Sequence, residues 1–330
     1  MDWFKQLTGF AESGYEETRA QLAVEEGFLK SRVNGRTYGI GRLETPSLGG
    51  LRKRVDAVPN TPGRLIVRTM SGDVSRLHSE TSSRGALIQV ASQFNLLEMT
   101  HFDVTPEHGV TRYAHDHTQG PACAMAAGAA TIYRNYFVPV DGGVGQTHDR
   151  QIDTLKDLAR ALGEGLVEMR NGYALISRES LQRINASLAT ASDDGIDSLR
   201  SLLRIGLHWN VEVTAVGPGQ GQLLSQAYCS ALPVGYSRVP SGLWAPFATL
   251  VLEASYEATL LAAIINARHQ GSGKVYLTRL GGGVFGNQRE WISLAMRRAL
   301  EQVRGHHLEV YLVSYGEVPD DLRCLADEFA

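Results

Sequence analysis

Short apolar runs alternate with longer segments of helical periodicity along most of the chain. The runs that predict strands are Arg64–Met70, Ala86–Ala91, Val211–Val216, Leu223–Leu232, Lys274–Leu280 and Leu308–Ser314. The segments that predict helices are Pro121–Tyr133, most of 150–205, Ala245–Ala267, Gln288–Val303 and Asp320–Phe329. Strands that alternate with helices predict an α/β fold whose central sheet is mixed, largely parallel and buried.

Residues 1–61 have a different pattern, which we interpret as an extension of helix and β-hairpin packed on the core. Thr8–Glu26 has helical character. Asn34-Gly35 lies between two apolar runs, which is a strong signal for a β-hairpin. Pro59 and Pro62 mark the boundary of this extension.

The core, residues 62–330, contains an insertion at about 145–207. The pattern of the insertion is mostly helical, and Asn171-Gly172 is a second hairpin signal. Before the insertion, residues 95–120 contain His, Asp, Glu and Pro with little periodicity. We therefore predict a long loop between the second strand and the first helix of the core.

Composition and charge exclude several classes of protein. The 330 residues include 32 basic and 35 acidic ones, a net charge of −3, so we expect no nucleic-acid partner. The sequence has no uninterrupted run of about 18 apolar residues, and we expect no membrane partner. The start lacks a basic segment followed by an apolar one, and the three cysteines are far apart. These features predict a cytoplasmic protein without disulfides.

The strongest local signal is a glycine-rich segment between a predicted strand and a predicted helix. Its sequence is Gly281-Gly282-Gly283-Val284-Phe285-Gly286-Asn287. Glycines let backbone N–H groups approach a phosphate, and a helix N-terminus favours negative charge. We predict an anion-binding loop, the alternative being a tight turn without a ligand. No Lys-Ser/Thr follows, as a Walker loop requires, and the position near the C-terminus does not fit a Rossmann fingerprint.

Three further signals follow predicted strands. Gly72-Asp73-Val74 comes after the first strand, where an Asp can accept a hydrogen bond from an exocyclic amine; an ordinary turn or helix cap is the simpler alternative. Asn95 follows the second strand with an amide suited to ribose hydroxyls. Tyr315 follows the last strand with a ring suited to stacking on a base.

In this order and spacing the four segments resemble the macrodomain family, over residues 64–137 and 245–316. The resemblance implies a three-layer α/β/α sandwich that takes ADP-ribose as a ligand or product and uses no cofactor. It implies adenine at Asp73, Val74 and Tyr315, and the distal ribose at Asn95. It places the diphosphate and the distal ribose on the segment from Gly281 to Gly286. Gly72 and Asn287 are counted with these binding residues.

The stretch after Asn95 departs from the common macrodomain pattern, in which a short glycine-rich catalytic loop follows. Here a long loop leads to a helix start at Thr118-Gln119-Gly120-Pro121-Ala122. The motifs resemble those of the divergent, arginine-specific macrodomain hydrolases. They are this helix start, Gln93-Phe94-Asn95-Leu96-Leu97-Glu98, Tyr133-Arg134-Asn135-Tyr136 and the glycine-rich segment. The resemblance implies a hydrolase acting on mono-ADP-ribosylated proteins, with Gln119 and Gly120 among the ADP-ribose-binding residues.

Cleavage of ADP-ribose from arginine develops positive charge on the ribose, as in glycoside hydrolysis. Carboxylates suit the tasks of holding the guanidinium, stabilising the charged centre and activating water. The long loop contains four candidate catalytic acids, Glu98, Asp103, Glu107 and Asp116. We expect Asp116 beside the ribose and Glu98 at the guanidinium or water. The alternative is that these acids are solvated charges, with Asp116 a helix cap.

Two other functions stay open. A non-catalytic ADP-ribose reader needs the binding residues but none of the acids. A metal-dependent hydrolase would use histidines of the long loop, but their spacing matches no strong metal motif, and we expect no metal. Separately, Glu253 and Glu257 lie on one face of the predicted apolar helix. We expect them to cap backbone groups or to pair with an arginine, and contact with a substrate arginine is the alternative.

Overall fold

The secondary structure is described here from a computed structural model, which covers residues 2–59, 62–215, 221–269 and 271–330. The helices are α1 Trp3–Thr8, α2 Tyr15–Ala20, α3 Leu48–Asp56, α4 Val74–Leu77, α5 Gln119–Ala126, α6 Gly128–Tyr136, α7 Lys156–Leu162, α8 Arg178–Thr190, α9 Asp193–Leu202, α10 Ser241–Arg268, α11 Arg289–Gln302 and α12 Asp320–Asp327. The strands are β1 Leu22–Glu25, β2 Phe28–Ser31, β3 Thr37–Gly39, β4 Arg42–Glu44, β5 Leu65–Ser71, β6 Leu87–Ala91, β7 Pro139–Val140, β8 Gly143–Val144, β9 Glu168–Arg170, β10 Tyr173–Leu175, β11 Gly206–Glu212, β12 Leu223–Cys229, β13 Lys274–Leu277 and β14 Leu308–Ser314.

A seven-stranded sheet in the order β4-β11-β12-β6-β13-β14-β5 forms the centre of the fold. The five strands from β12 to β5 are parallel, and β11 and β4 are added at one edge through antiparallel pairs. β14 pairs with β5 along its whole length, from Leu308 opposite Leu65 to Ser314 opposite Ser71. The predicted mixed, largely parallel sheet is confirmed.

Successive side chains of the buried strands point to opposite faces of the sheet. In β6, Leu87 packs in the layer that contains α10 and α11, whereas Ile88 and Val90 pack with α4, α5 and α6. Val275 and Tyr276 of β13 repeat this alternation. Helices therefore cover both faces, and the predicted three-layer α/β/α fold class is confirmed.

α10 is long and apolar enough to cross a membrane, but 89% of its most apolar 18-residue window is buried inside the protein. Glu257 accepts hydrogen bonds from Arg52 and Arg298, and Glu253 accepts one from Arg200. The predicted pairing of both acids with arginine is confirmed. These pairs join α10 to α3, α9 and α11, so the two acids stabilise the helical layer.

The N-terminal segment differs in part from its prediction. Thr8–Glu26 is not one helix, because α1 ends at Gly9, whose φ of 86° is left-handed, and β1 occupies Leu22–Glu25. The hairpin predicted at Asn34-Gly35 is confirmed as β2 and β3. The apolar pattern did not predict α3, which packs on α10, or β4, the edge strand of the central sheet.

Some boundaries within the core also differ. The predicted helix 121–133 is two helices, because Ala127 has non-helical dihedrals of φ −117° and ψ 60°. β11 begins at Gly206, earlier than predicted, since the polar side chains of His208 and Asn210 interrupt its apolar pattern. Val216, the predicted end of that strand, lies outside the described residues. β13 ends at Leu277 instead of Leu280.

The segment 145–207 contains α7, the β9–β10 hairpin, α8 and α9. The hairpin signal at Asn171-Gly172 is confirmed, with both residues left-handed at φ 48° and 81°. Residue 61, the predicted end of the extension, lies outside the described residues, and the division into domains stays a prediction.

Candidate functional site

The parallel strands end at one edge of the sheet, beside an open cleft. Segments after β6, β12 and β13 line it, as expected where parallel strands end. The lining residues are Ala91, Ser92, Gln93, Glu98, Met99, Thr100, Asp116, Thr118, Gln119, Gly120, Tyr173, Ala231, Tyr236, Arg279, Leu280, Gly281, Gly283, Val284 and Phe285. The fold thus brings together two of the four candidate acids, the predicted helix start and the glycine loop.

The turn after β6 is closed on itself and presents Glu98. Met99 N donates to Gln93 Oε1 at 2.6 Å, and Gln93 Nε2 donates to Met99 O at 3.1 Å. Leu96 has a left-handed φ of 63°, and its carbonyl oxygen accepts a hydrogen bond from Arg134 Nε at 3.1 Å. These contacts hold the turn from within and from α6, and the turn in this conformation places Glu98 at the cleft.

Glu98 is a buried acid with an unsatisfied oxygen. The residue is 5% exposed, and Oε1 has no hydrogen-bond partner among the described residues. Burial raises the pKa of Glu98 well above its ordinary value of 4.5; the Arg134 guanidinium opposes this shift and Asp116 adds to it. A raised pKa favours the protonated form of this carboxyl group, and a nearby cation favours the ionised form.

Asp116 lines the cleft just before α5. Its Oδ1 accepts hydrogen bonds from Thr118 N at 2.8 Å and Thr118 Oγ1 at 2.6 Å. Thr118 is the N-cap residue of α5, so Asp116 supports the helix start as well as facing the cleft. Within the described part of the chain, its Oδ2 receives no hydrogen bond, which leaves that oxygen for a ligand.

Gln119 and Gly120, the first residues of α5, fit the helix closely against β6. Gln119 Nε2 donates to Gln89 O at 3.2 Å, and its Oε1 accepts from Ala91 N at 3.3 Å. Gly120 leaves room for the acid of the cleft, because a Cβ at this position would lie 2.5 Å from Glu98 Oε2. Both polar atoms of the Gln119 amide are therefore hydrogen-bonded to the backbone of β6 in the cleft wall.

The glycine loop runs from β13 to α11 along the other side of the cleft. Asn287 closes this loop, with its N–H donating to Gly281 O at 3.0 Å and its Nδ2 donating to Leu232 O at 2.9 Å. The loop residues that line the cleft are Gly281, Gly283, Val284 and Phe285, whereas Gly282, Gly286 and Asn287 do not line it.

Arg279 is the one Lys or Arg among the described residues that line the cleft. Its nearest acid is Asp321, with Nη2 and Oδ2 3.5 Å apart, longer than a good charge-assisted hydrogen bond. The same oxygen of Asp321 accepts a hydrogen bond from Ser293 at 2.8 Å. The cleft thus has two acids on the β6–α5 side. On the β13 side it has one arginine, Arg279, whose ion pair with Asp321 is long.

Three aromatic rings form a wall of the cleft. Tyr173 comes from β10, Tyr236 from the segment after β12, and Phe285 from the glycine loop. Their ring centroids lie 5.3 to 5.6 Å apart. The hydroxyl of Tyr173 donates to Met99 O at 2.6 Å, so the insertion both lines the cleft and supports the turn that carries Glu98.

Asn95 does not line the cleft, although the sequence predicts it at a ribose. It is completely buried. Its Nδ2 donates to Gln151 Oε1 at 2.9 Å, and its Oδ1 accepts from Leu97 N at 3.1 Å. Both polar ends of the amide are therefore used inside the wall of the site.

Asp103 and Glu107 also lie outside the cleft. On the surface, Asp103 forms an ion pair with Arg170, and its Oδ2 lies 3.1 Å from His101 Nδ1. Glu107 accepts hydrogen bonds from the backbone N and the Nδ1 of His148 at 2.8 and 3.0 Å. Among the described residues, no group of three His, Cys, Asp or Glu side chains is close enough to hold a metal ion.

Gly72, Asp73, Val74 and Tyr315 follow the paired strands β5 and β14, beyond the residues that line the cleft. Asp73 is the N-cap of α4 and accepts hydrogen bonds from Ser75 N and Oγ. Val74 is buried, and Tyr315 is 87% exposed. Asp73 is thus a helix cap, as in the alternative interpretation, and its predicted contact with a base stays a prediction.

Arg279, Tyr173 and Tyr236 are lining residues to which the sequence analysis gave no role. Arg279 had a usable signal, since it stands two residues before the glycine run and just after a buried strand. Tyr173 and Tyr236 had none, because they are brought to the cleft by tertiary contacts between distant segments.

A scan of the sequence against protein-family models and a search of curated proteins find no match. Among solved structures, the fold is similar to poly(ADP-ribose) glycohydrolase from Thermomonospora curvata, with a TM-score of 0.44, 14% sequence identity and 94% of each chain covered. It is also similar to poly(ADP-ribose) glycohydrolase from Deinococcus radiodurans in complex with ADP-ribose. There the TM-score is 0.46 and the identity 14%, over 88% of this chain and 95% of that chain. At so low a similarity, function has to be inferred from the residues of the cleft.

Proposed function

We propose that this protein is a hydrolase that binds ADP-ribose and removes mono-ADP-ribose from arginine side chains of proteins. The observation that carries the proposal is the polarity of the cleft. Glu98 and Asp116 lie on the β6–α5 side, and Arg279 lies on the β13 side beside the glycine loop. ADP-ribosylated arginine has the complementary polarity, because its diphosphate is anionic and its guanidinium is cationic.

The strand order supports a ligand of this length. β6, β13, β14 and β5 are consecutive neighbours, and three strand spacings of about 4.8 Å amount to about 14 Å. An extended ADP-ribose laid across these strand ends would have its ribose near Glu98 and its diphosphate on the glycine loop. Its adenine would then reach Asp73 and the exposed ring of Tyr315.

The two acids suit the two requirements of the reaction. In the proposed reaction, Asp116 stabilises the positive charge that develops at C1″ of the ribose. The incoming guanidinium favours the ionised form of Glu98, which then takes a proton from the attacking water. The C1″–N bond breaks, its electron pair stays on the guanidine nitrogen, and the proton passes from Glu98 to that nitrogen. The products are ADP-ribose and unmodified arginine.

The test gives wild type and Glu98→Gln three substrates: a peptide with ADP-ribose on arginine, a peptide with ADP-ribose on glutamate, and ADP-ribose polymer. We expect wild type to cleave ADP-ribose from the arginine peptide. We expect Glu98→Gln to bind free ADP-ribose but not to cleave the arginine peptide. Tight binding with no turnover of either peptide would support a reader instead. Turnover of the glutamate peptide or of ADP-ribose polymer in preference to the arginine peptide would contradict the arginine specificity.

A further inference from the structure

Glu12, between α1 and α2, is bound to the loop that leads to Asp116. Its Oε1 accepts hydrogen bonds from Val110 N and from the Tyr136 hydroxyl, both at 2.8 Å. Its Oε2 accepts one from Thr111 N at 2.7 Å. One carboxylate therefore joins the N-terminal segment, the long loop and α6.

The backbone of the loop is shaped around this carboxylate. Gly109 has a left-handed φ of 77°, and a Cβ there would lie 2.7 Å from Glu12 Oε1 and closer still to Oε2. Next to this contact, the rings of Tyr15 and Tyr136 pack at 4.7 Å, and the Tyr15 hydroxyl donates to Asn135 O at 3.0 Å. These contacts join the N-terminal segment to α6 beside the loop.

The held segment continues directly into the cleft. A 3-10 turn, Thr111–His115, begins at the residue that Glu12 binds. Tyr113 in this turn is buried, and its hydroxyl accepts a hydrogen bond from Glu98 N at 2.9 Å. Its carbonyl oxygen accepts another from Asp116 N at 3.1 Å. Both acids of the cleft are therefore bonded to a turn whose start is fixed by Glu12.

We propose that Glu12 is a positioning residue of the site, which sets Glu98 and Asp116 through Tyr113. This inference rests on the proposed function for its effect on turnover. Glu12→Gln keeps the size of the side chain but replaces one accepting oxygen with an NH₂ group, which would face a donor. The turn should then loosen at its start, whereas the glycine loop on the other side of the cleft has no contact with it.

The experiment compares wild type, Glu12→Gln and Glu16→Gln. Glu16 is a matched control because its side chain is 78% exposed and its ion pair with Arg19 is 3.7 Å long. Hydrogen–deuterium exchange is measured at the amides of Glu98 and Thr118, which Glu12 does not touch, and kcat and the Kd of ADP-ribose are measured beside it. In Glu12→Gln we expect both amides to exchange about tenfold faster and kcat to fall about tenfold or more, with the Kd changed less than about twofold.

The outcomes separate this inference from the proposed function. Exchange at Glu98 and Thr118 equal to wild type in Glu12→Gln would overturn the positioning role, even if exchange at Val110 and Thr111 increased. An equal loss of ADP-ribose affinity and turnover would also overturn it, since that pattern indicates a general structural role. A wild-type protein without turnover would overturn the proposed function, and the exchange at the two amides would still decide the positioning role.

Discussion

The carboxylate of Glu98 lies directly against the backbone of Gly120. A Cβ at residue 120 would lie 2.5 Å from Glu98 Oε2 and closer still to the carbonyl oxygen of Ala91. One of these neighbours is backbone in a strand of the central sheet, so it cannot easily move aside. The acid of the cleft and the start of α5 therefore share a space that only glycine leaves free.

Gly120→Ala should displace Glu98 and lower turnover about 100-fold, because a shift of about 1 Å in a reacting group has an effect of this size. Overpacking should also lower the free energy of unfolding by about 1–3 kcal/mol. Gly242→Ala is the control, since a Cβ there meets nothing within 4 Å. Kinetics and urea unfolding of both variants test the prediction, and wild-type turnover in Gly120→Ala would contradict it.

Glu98 should lower the stability of the protein as the pH rises. At a pH well below 4.5, the ordinary pKa, Glu98 is protonated in both the folded and the unfolded chain. Above that pH the unfolded chain releases its proton first, because the pKa is raised in the folded protein, and the free energy of unfolding falls until the folded pKa is passed. Glu98→Gln removes this dependence.

Urea unfolding at pH 4, 6 and 8 measures the effect. We expect Glu98→Gln to gain stability relative to wild type between pH 4 and pH 8. Glu317→Gln is the control, because the side chain of Glu317 is 90% exposed. If the difference between Glu98→Gln and wild type were the same at every pH, Glu98 would not have the raised pKa that its burial implies.

Local patterns in the sequence were enough to predict the sheet and the glycine loop. The strand Leu308–Ser314 is mostly apolar apart from Glu309, and its predicted bounds agree with β14. The first hairpin turn shows the opposite case. Glu26 and Gly27 both adopt left-handed φ, 49° and 84°, but Glu-Gly is not a typical sequence for such a turn, so β1 was predicted as helix.

The candidate site was predictable only where the local sequence is enough to determine the position of a side chain. Glu98 lies in an apolar segment after β6, but the orientation of Asn95 depends on the left-handed φ of Leu96, which reverses the chain there. Asp103 lies outside the cleft and forms an ion pair with Arg170, more than 60 residues later in the sequence. Such pairings between distant segments leave no periodic signal in the sequence.

Arg279 should bind the diphosphate of ADP-ribose. A charge-assisted hydrogen bond contributes about 1.5–3 kcal/mol, so Arg279→Ala should weaken ADP-ribose about 10- to 100-fold. Adenosine, which has no phosphate, should bind equally well to wild type and variant. Arg42→Ala is the control, because the side chain of Arg42 is 66% exposed and lies in β4, an edge strand of the central sheet away from the glycine loop. Calorimetry measures the affinities for both ligands, and equal losses of affinity for ADP-ribose and adenosine would contradict a diphosphate contact.

Asp116 and Asp103 belong to the same loop, but only Asp116 lines the cleft. Asp116→Asn keeps the size of the side chain and can still accept the hydrogen bonds from Thr118, so α5 should stay in place. It removes the charge next to the ribose, and kcat on the arginine peptide should fall about 10²–10³-fold, as for the loss of a group that stabilises charge in the transition state. The Kd of free ADP-ribose should change little, since its diphosphate is held on the β13 side.

Asp103→Asn is the control. It breaks an exposed ion pair with Arg170 and should leave kcat unchanged. Single-turnover release and calorimetry on both variants measure these quantities. Equal turnover by Asp116→Asn and Asp103→Asn would contradict a catalytic Asp116, whereas a loss confined to Asp103→Asn would move the reaction out of the cleft.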